Sequence, residues 1–243
     1  MPSARSSRSR RAAAVVGAVV MLSTVVPTAA AASPFDTSQA SMLEAVPPNG
    51  TVDPLITVGD RIGTYMFDAI PDGIAVRPGA AGTVQVFVNH ETSTVPFPYT
   101  PGSIVVEGNQ NDFGSSKVSR LILSRAGHPK IRGATMVITS QGGFQRLCSN
   151  FLATAAQGFS RELLLTNEEG VDWVNRSGPA WPATEGADNA RQIGVVVAYD
   201  PRTNQRRPIW GMGRLNHENS LAVPGYGKPV VLTGDDTFVT TPS

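Results

Sequence analysis

The sequence predicts an all-β protein with a propeller-like arrangement of short strands. Short apolar, β-branched runs recur along the chain and end at turns rich in Gly, Pro or Asn. Long stretches with helical periodicity are missing, and the 243 residues include 24 Gly and 19 Pro. Several runs end in acidic or imidazole side chains, and the inner strands of a propeller converge on a central channel. These three observations favour a propeller over a sandwich or a barrel.

The composition indicates one sizeable globular core and argues against nucleic acid as a partner. Hydrophobic residues make up 41% of the chain and charged residues 16%, which is not a disordered composition. The formal net charge is +1, and the one dense basic cluster lies within residues 5–11. We therefore expect no basic patch on the folded domain and no binding of nucleic acid.

Residues 1–32 have the pattern of a signal peptide. Basic residues precede the apolar stretch 12–26 and the small-residue run 29–32, after which cleavage is expected. The apolar stretch is too short for a good transmembrane helix, so we expect a secreted or periplasmic protein without a stable membrane anchor. Arg10 and Arg11 are equally compatible with a twin-arginine signal and with an ordinary Sec signal.

Cys148 is the only cysteine, so no internal disulfide can stabilise the exported domain. A buried packing role is the simplest interpretation of this residue. Removal of the signal residues takes away four arginines and no acids, which moves the formal net charge from +1 to −3. Calcium is a common means of stiffening an extracellular domain, and the carboxylates that it needs are present.

Residues 33–53 are a polar, proline-containing lead-in, and residues 54–243 form the propeller-like domain. Strand-like runs follow one another within this domain, among them VQVFVNHE, VSRLILS, ATMVITS, ELLLTNEE and QIGVVVAYD. Polar excursions at 92–116 and 170–192 are long enough to indicate functional loops. Residues 144–159 are the best candidate for a short helix, with an ordered loop as the alternative.

At roughly 40 to 50 residues per blade the domain supplies about three to four blades, which predicts a propeller truncated at its C-terminus.

Four of the apolar runs end in two adjacent ligand-type residues. Two of these doublets share the tripeptide Asn-His-Glu, and this recurrence argues against two unrelated surface turns. Neighbours on a regular strand point to opposite faces, so both members reach one cavity only at a strand end or a bulge. Carboxylates suit calcium, and histidine adds a transition-metal or proton-transfer option. The predicted metal ligands are His90, Glu91, Glu168, Glu169, His217, Glu218, Asp235 and Asp236.

Two arginines are candidates for holding a phosphate group. Arg146 and Arg214 could each bind phosphate oxygens in a bidentate manner, and Arg214 is the stronger candidate because it lies two residues before an Asn-His-Glu tripeptide. Arg214 and His217 are therefore the predicted catalytic residues. Asp72, within Pro-Asp-Gly, has the pattern of an ordinary turn residue. The sequence contains no P-loop, nucleophile elbow or HExxH motif. Without a nucleophile elbow, no motif in the sequence supports a serine-hydrolase mechanism.

The ordered set FVNHET, LLLTNEEG, GRLNHEN and VVLTGDDT resembles the PhoX-type alkaline phosphatases, a secreted bacterial family. The resemblance covers roughly residues 55–240. It implies a β-propeller whose central iron and calcium ions hydrolyse phosphate monoesters, and it places Glu168 and Glu169 at the paired-glutamate position of the family. The family has a cysteine that binds iron directly before these glutamates, where this chain has Asn167. An oxygen donor in place of a thiolate favours calcium over iron.

The sequence thus predicts an exported, monomeric phosphatase that acts on a small phosphorylated substrate at a calcium site, with iron as a further option. Two alternatives remain open at this point. One is a non-enzymatic, calcium-stabilised propeller that serves as a binding module. The other is a calcium-dependent propeller of the lactonase or esterase type, which needs a single ion rather than four paired strand ends.

Overall fold

The structure is a computed structural model of the chain, and it describes residues 34–46, 50–80, 82–91, 115–127, 129–175, 177 and 183–237. In this part of the chain the protein is all-β: small antiparallel sheets, none of them closed on itself, are joined by turns and three short 3₁₀ helices. No helix among the described residues is long and apolar enough to cross a membrane. The predicted signal peptide, and all but the end of the predicted loop at 92–116, lie outside the described residues.

The first large sheet is a four-stranded antiparallel meander in which each strand pairs with the next one along the chain. Its strands carry apolar side chains on both faces, and each face packs against its own apolar cluster. A short ribbon formed by β1 (Arg61–Ile62) and β2 (Tyr65–Met66) precedes it. The sheet comprises β3 (Ile70–Pro78), β4 (Thr83–Glu91), β5 (Lys117–Ser124) and β6 (Ile131–Ile138).

The second large sheet and a small ribbon are formed by the next six strands: β7 (Leu147–Ala153), β8 (Leu163–Glu168), β9 (Trp173–Asn175), β10 (Ala190–Gln192), β11 (Val196–Asp200) and β12 (Gln205–Pro208). The sheet has four antiparallel strands, in the order β7-β8-β11-β12. The two-stranded ribbon, β9 with β10, is inserted between β8 and β11 and occupies part of the predicted polar loop at 170–192.

A third, two-stranded sheet follows, in which β13 (His217–Ala222) pairs with β14 (Val231–Asp235). An isolated bridge between Glu169 and Asn216 joins the end of the second sheet to the start of the third. β7 packs beside β3 on one side and beside β13 on the other. The first strands of the three sheets therefore lie next to one another, and this places the ends of different sheets at one location.

The helix predicted at 144–159 is not formed. These residues make strand β7 and a 3₁₀ turn over Ala155–Gln157, which begins at a capping box on Thr154. Gly143 and Gly158 adopt left-handed backbone conformations on either side of the strand. The prediction failed because the apolar residues of this segment pack between two sheets, and this tertiary burial outweighs local helical preference.

Three apolar clusters hold the sheets together. The first cluster fills the space between the first two sheets, where the rings of Phe87 and Tyr199 meet edge to face with centroids 6.0 Å apart. A second cluster lies on the other face of the first sheet, and the lead-in residue Phe35 packs against it. The third cluster joins β7, β8 and β11 to β13 through Ala222. Full burial of each large apolar side chain contributes about 1.5–3 kcal/mol, so the sheet ends are held by substantial cores.

Candidate metal centre

Three ligand-type side chains from two sheets meet at the ends of their strands. The sulfur of Cys148 and carboxylate oxygens of Glu169 and Glu218 lie within 4.8 Å of one another. Cys148 is buried, Glu169 is half-buried and Glu218 is exposed, so the group opens to solvent on one side. A thiol and two carboxylates at this separation could hold a metal ion.

Backbone hydrogen bonds fix these side chains in place. The N–H of Glu169 donates to the carbonyl of Arg146 at 3.0 Å, which ties the end of β8 to the start of β7. The N–H of Asp236 donates to the carbonyl of Asn216 at 3.0 Å, and the Asn216 side chain donates back to the Asp236 carbonyl at 3.1 Å. Asp236 itself is hydrogen-bonded to the Glu169 carboxyl. Residues from β7, β8 and β14 are therefore held at one end of the assembly.

Asp72 and Glu91, from the first sheet, extend the group. Their carboxyls are hydrogen-bonded to each other, and the carboxylate of Glu218 lies close enough to raise the pKa of both. Asp72 lies where the pairing of β3 with β4 is irregular, between Pro71 and Ile74. Such an irregularity re-aims a side chain relative to a regular strand. We call the six residues the carboxylate–thiol cluster: Asp72, Glu91, Cys148, Glu169, Glu218 and Asp236.

Burial and mutual repulsion make the cluster a poor place for uncompensated negative charge. Burial is the main cause that raises the pKa of Glu169 to about 7; the nearby Glu218 carboxylate acts in the same direction, whereas a hydrogen bond from the Cys148 thiol opposes the shift. Burial also raises the pKa of Cys148 and, with their neighbours, the pKa values of Asp72 and Glu91. In the absence of a cation the cluster therefore retains protons, and a bound cation would replace them.

Four of the eight predicted metal ligands belong to this cluster. Each of them is the second residue of its doublet, because adjacent residues at a strand end face opposite sides of the sheet. The structure brings together Glu91, Glu169, Glu218 and Asp236. It does not bring the first residues of the doublets into this group; these are His90, Glu168, His217 and Asp235.

His90 lies in the interior of the first sheet. Its Nδ1 is 2.7 Å from the backbone oxygen of Asp68, and its Nε2 is 2.5 Å from the Ser119 hydroxyl. The Tyr65 hydroxyl is in turn 2.7 Å from the same Ser119 oxygen, and Lys117 pairs with the Asp68 carboxylate. Both ring nitrogens of His90 thus have protein partners, and the residue acts as a buried polar link between strands.

Glu168 is a fully buried carboxylate that binds backbone amides. One of its oxygens accepts the N–H of Gln145 at 2.9 Å. The other oxygen accepts the N–H groups of Gly194 and Val195 at 3.0 and 3.2 Å. These bonds join the segments that precede β7 and β11 to β8, so the role of Glu168 is to hold the backbone from which Glu169 reaches the cluster.

His217 and Asp235 face each other across the pairing of β13 with β14. The Nδ1 of His217 is 2.8 Å from the Thr233 hydroxyl, and burial lowers the pKa of this histidine against the opposing effects of the Gly213 carbonyl and Asp235. Asp235 is exposed and accepts a hydrogen bond from Thr237 at 2.5 Å. Neither residue is placed with the six residues of the cluster.

Asn167 and two further asparagines connect the sheets beneath the cluster. The Asn167 side chain donates to the Ser149 hydroxyl at 2.9 Å, and its oxygen accepts from the Ser220 hydroxyl at 2.6 Å. Asn150 likewise donates to Asn89 at 2.9 Å across the first and second sheets. The Asn167 oxygen, expected above to favour calcium, is therefore engaged in linking β7, β8 and β13.

Arg214, one of the two predicted catalytic residues, contacts Trp210 and the backbone of Gln192. Its guanidinium carbon is 4.8 Å from the ring centroid of Trp210, and it donates to the backbone oxygen of Gln192. Arg146, by contrast, lies near the cluster, because its charge lowers the pKa of Glu91. Of the two arginines, Arg146 is the one for which a contact with a cluster residue is seen among the described residues, because its carbonyl also accepts the N–H of Glu169.

Asp72 and Cys148 are not among the metal ligands that the sequence predicts. The sequence predicts a turn role for Asp72, because Pro-Asp-Gly is a common turn sequence. It predicts a packing role for Cys148, because buried cysteines are frequent. One available signal was the position of the only cysteine at the start of the apolar run LCSNFLA. The sequence predicts a helix or an ordered loop for this segment, and neither places alternate residues on one face as a strand does.

Comparison of the chain with protein-family models, with curated proteins and with solved structures found no match. A functional assignment must therefore be argued from the cluster itself. Among the described residues, the cluster combines one thiol sulfur and five carboxyl groups from three sheets.

Proposed function

We propose that this protein is an exported, metal-dependent hydrolase of phosphate monoesters and that the carboxylate–thiol cluster is its metal centre. The observation that carries the proposal is the convergence of Cys148, Glu169 and Glu218 within 4.8 Å, with three further carboxyls beside them. Clusters of this kind, with raised pKa values at an open surface, are typical of functional sites. The resemblance of the four strand-end motifs to the PhoX-type phosphatases supports the same reaction class.

The donor set fits two kinds of metal. The sulfur of Cys148 favours a transition metal such as iron or zinc at the position that it shares with Glu169 and Glu218. Asp72 and Glu91 offer only oxygen, which suits calcium. Iron is therefore as compatible with this cluster as calcium is, which revises the preference for calcium that was based on Asn167. When bound, such ions would neutralise a phosphate group and supply an activated oxygen nucleophile.

The protein's own groups prepare the centre for a dianionic substrate. Glu169, whose pKa is raised to about 7, is protonated in a substantial fraction of molecules near neutral pH and would release this proton when a cation binds. Glu218 and Asp72 are exposed, so solvent and a small substrate can reach the cluster from that side. Cys148 is covered by neighbouring backbone, with the carbonyl of His217 3.6 Å from its sulfur. This cover protects the thiol from bulk solvent while its sulfur faces Glu169 and Glu218.

The arrangement of strands supports a propeller-like fold for this site. Two four-stranded antiparallel sheets follow each other, and the first strands of three successive sheets, β3, β7 and β13, lie side by side. Neighbouring blades of a propeller have this relationship, and their inner strands surround the central channel. In such a fold the cluster at these strand ends would lie at the central channel, where propellers commonly bind ligands.

The direct test uses purified mature protein. Its metal content is measured by elemental analysis, and hydrolysis of p-nitrophenyl phosphate is followed before and after chelation. We expect bound metal, hydrolysis that is lost with the metal, and recovery when iron, zinc or calcium is restored. Protein that carries metal but hydrolyses neither this ester nor other phosphate monoesters would refute the proposed activity.

A second candidate function is a non-enzymatic, metal-stabilised binding domain. It is favoured by the fact that the cluster draws its ligands from three separate sheets, so a bound ion would act as a clamp between them. The chain has no disulfide to serve that purpose. In this case chelation would lower the melting temperature, and no phosphate ester, lactone or carboxylic ester would be turned over by the metal-loaded protein. Turnover of a lactone or carboxylic ester alone would instead identify the lactonase-like alternative.

A further inference from the structure

We propose that the second sheet carries a binding site for a polyphosphate chain, centred on Arg161, at the end remote from the carboxylate–thiol cluster. Arg161 lies just before β8, and the turn between β11 and β12 lies beside it. The cluster lies at the opposite end of β8, where Glu169 follows the strand. The site is therefore separate from the candidate metal centre, and the inference does not rest on the proposed function.

Strand pairing gathers four arginines at this end of the sheet. β11 runs antiparallel to β8, so the end of β11 lies beside the residues that precede β8. β12 then returns along β11 and carries two arginines of its own. The four exposed residues are Arg161, Arg202, Arg206 and Arg207. This patch differs from the expectation, drawn from composition, that the folded domain would carry none, because it is assembled from two separate segments of the chain.

Two hollows share Arg161 as part of their walls. One has a volume of about 260 Å³ and is also lined by Arg207. The other has a volume of about 430 Å³ and is also lined by Arg202. Asp200 and Thr203 belong to both walls, so the hollows adjoin. Each hollow thus has one arginine of its own and shares Arg161, an arrangement that suits two neighbouring anionic groups.

Asp200 fixes the geometry of this site. It is 6% exposed, and one of its oxygens accepts the N–H groups of Arg202 and Thr203 at 2.8 and 3.3 Å. Its other oxygen lies 3.3 Å from the Nη1 of Arg161. The carboxylate therefore directs its charge into the turn and toward one guanidinium, and it holds the arginines at the rims of the hollows.

The remaining positive charge is not neutralised by neighbours. Arg202 and Arg207 make no ion pair with any described residue. The side chain of Arg161 is 56% exposed, and its contact with Asp200 is a long one. Glu162, the acidic residue that follows it, pairs instead with Arg77 at 2.8 Å. Exposed guanidinium groups without counter-charges attract anions at low ionic strength.

The chemistry of the hollows favours closely spaced phosphate groups. A guanidinium presents several N–H donors that match the oxygens of a phosphate. Adjoining hollows with a shared arginine suit phosphates that are joined directly to one another, as in an inorganic polyphosphate chain. None of the described residues that line the two hollows is aromatic, so the bases of a nucleic acid would find no ring on which to stack.

Arg206 provides a matched control on the same hairpin. It lies opposite Tyr199, whereas Arg207 lies opposite Ala198. Neighbours on a strand point to opposite faces, so Arg206 is on the other face of the sheet and is not among the residues that line the hollows. Its replacement removes one charge from the patch and leaves the proposed site intact.

The test measures tripolyphosphate binding by calorimetry, with full-length mature protein used as purified and again after chelation. We expect R161Q to lose at least about tenfold in affinity, because charge-assisted contacts are removed. The double variant R202Q/R207Q should lose at least as much, and it guards against misfolding because it breaks no ion pair. R206Q should bind within about twofold of the wild type. Inorganic phosphate, which fills only one hollow, should bind at least about tenfold more weakly than tripolyphosphate.

These losses, seen equally before and after chelation, would support the site whether or not the protein hydrolyses phosphate monoesters. Three results would overturn it. Equal losses in R206Q and R161Q would show attraction by diffuse charge alone. Binding that disappears with the metal would assign the anion to the carboxylate–thiol cluster. A single-stranded oligonucleotide that binds more tightly than tripolyphosphate would identify the patch as a nucleic-acid surface.

Discussion

Glu168 and Glu169 are neighbours in sequence and serve opposite faces of the second sheet. The first accepts three backbone N–H groups in the protein interior, and the second lies within 4.8 Å of the Cys148 sulfur and a Glu218 oxygen. The alternation of side chains at a strand end separates a structural carboxylate from a candidate metal ligand. The two residues therefore form a natural pair for mutation.

We expect Glu168→Gln to destabilise the protein by about 1–3 kcal/mol, since an amide N–H₂ would face backbone N–H donors and leave buried groups unsatisfied. Glu169→Gln should leave the metal-free fold intact, because this side chain is half-buried and makes none of these backbone contacts. Urea denaturation of the metal-free variants measures the difference. Equal loss of stability in both variants would contradict the assignment of separate roles.

The pKa of Glu169 predicts how the stability of the metal-free protein depends on pH. Its pKa is about 7 in the folded protein and near 4.5 in the unfolded chain, so the folded state binds more protons between these values. The contribution of Glu169 to stability is therefore present below about pH 4.5 and is lost as the pH rises through 7. With solvent screening taken into account, the loss is on the order of 1 kcal/mol.

Glu169→Gln should abolish this contribution. Melting temperatures of metal-free wild type and variant, measured between pH 5 and 8, give the comparison. We expect the melting temperature of the variant to rise relative to that of the wild type as the pH increases from 5 to 8. A difference between the two proteins that does not change with pH would show that Glu169 titrates normally.

Asp235 and Asp236 supply a matched pair for metal binding. Asp236 is hydrogen-bonded to Glu169, whereas Asp235 is exposed and accepts from Thr237. Asp236→Asn should weaken metal affinity by about 10-fold or more, a typical loss for a group that supports a metal ligand. Asp235→Asn should change it little. Titration of metal into both chelated variants tests this, and equal affinities would remove Asp236 from the centre.

Gly73 tests the packing that brings β3 against β7. A Cβ at this position would lie 2.6 Å from the backbone N of Asn150 and 2.8 Å from the carbonyl oxygen of Cys148. We expect Gly73→Ala to cost about 1–3 kcal/mol by forcing the strands apart. Gly133→Ala is the control, because its Cβ would meet only Ile122, at an ordinary 3.8 Å. Thermal unfolding compares them, and a neutral Gly73→Ala would contradict the close strand contact.

The class of the fold could be predicted from the sequence, and part of the site could as well. Alternating apolar runs and Gly/Pro turns identify an all-β chain, because these local signals reflect strand pairing directly. The strand-end doublets also lie at the strand ends where the cluster forms, and one member of each belongs to it. Which residue of each doublet faces the cluster depends on where the strand ends. A shift of one residue in register would turn the other member of the doublet toward the cluster. This is why Glu168 and Glu169 could not be separated by sequence alone.

The contribution of Cys148 depends on tertiary structure in a different way. The residue lies 21 positions before Glu169 and 70 before Glu218 in the chain. Only the pairing of β7 with β8 and the packing of β13 on β7 bring the three together. Asp72 is similar, since an irregular step in the pairing of β3 decides its direction. Long-range register of this kind is not encoded in any local pattern.

X-ray absorption of protein loaded with zinc as the probe metal tests the central claim most directly. If the Cys148 thiolate and the carboxylates of Glu169 and Glu218 hold the ion, the spectrum will contain one sulfur neighbour at about 2.3 Å together with oxygen neighbours. Cys148→Ser should remove the sulfur contribution and weaken zinc binding. A coordination shell of oxygen and nitrogen alone, identical in wild type and Cys148→Ser, would contradict the account.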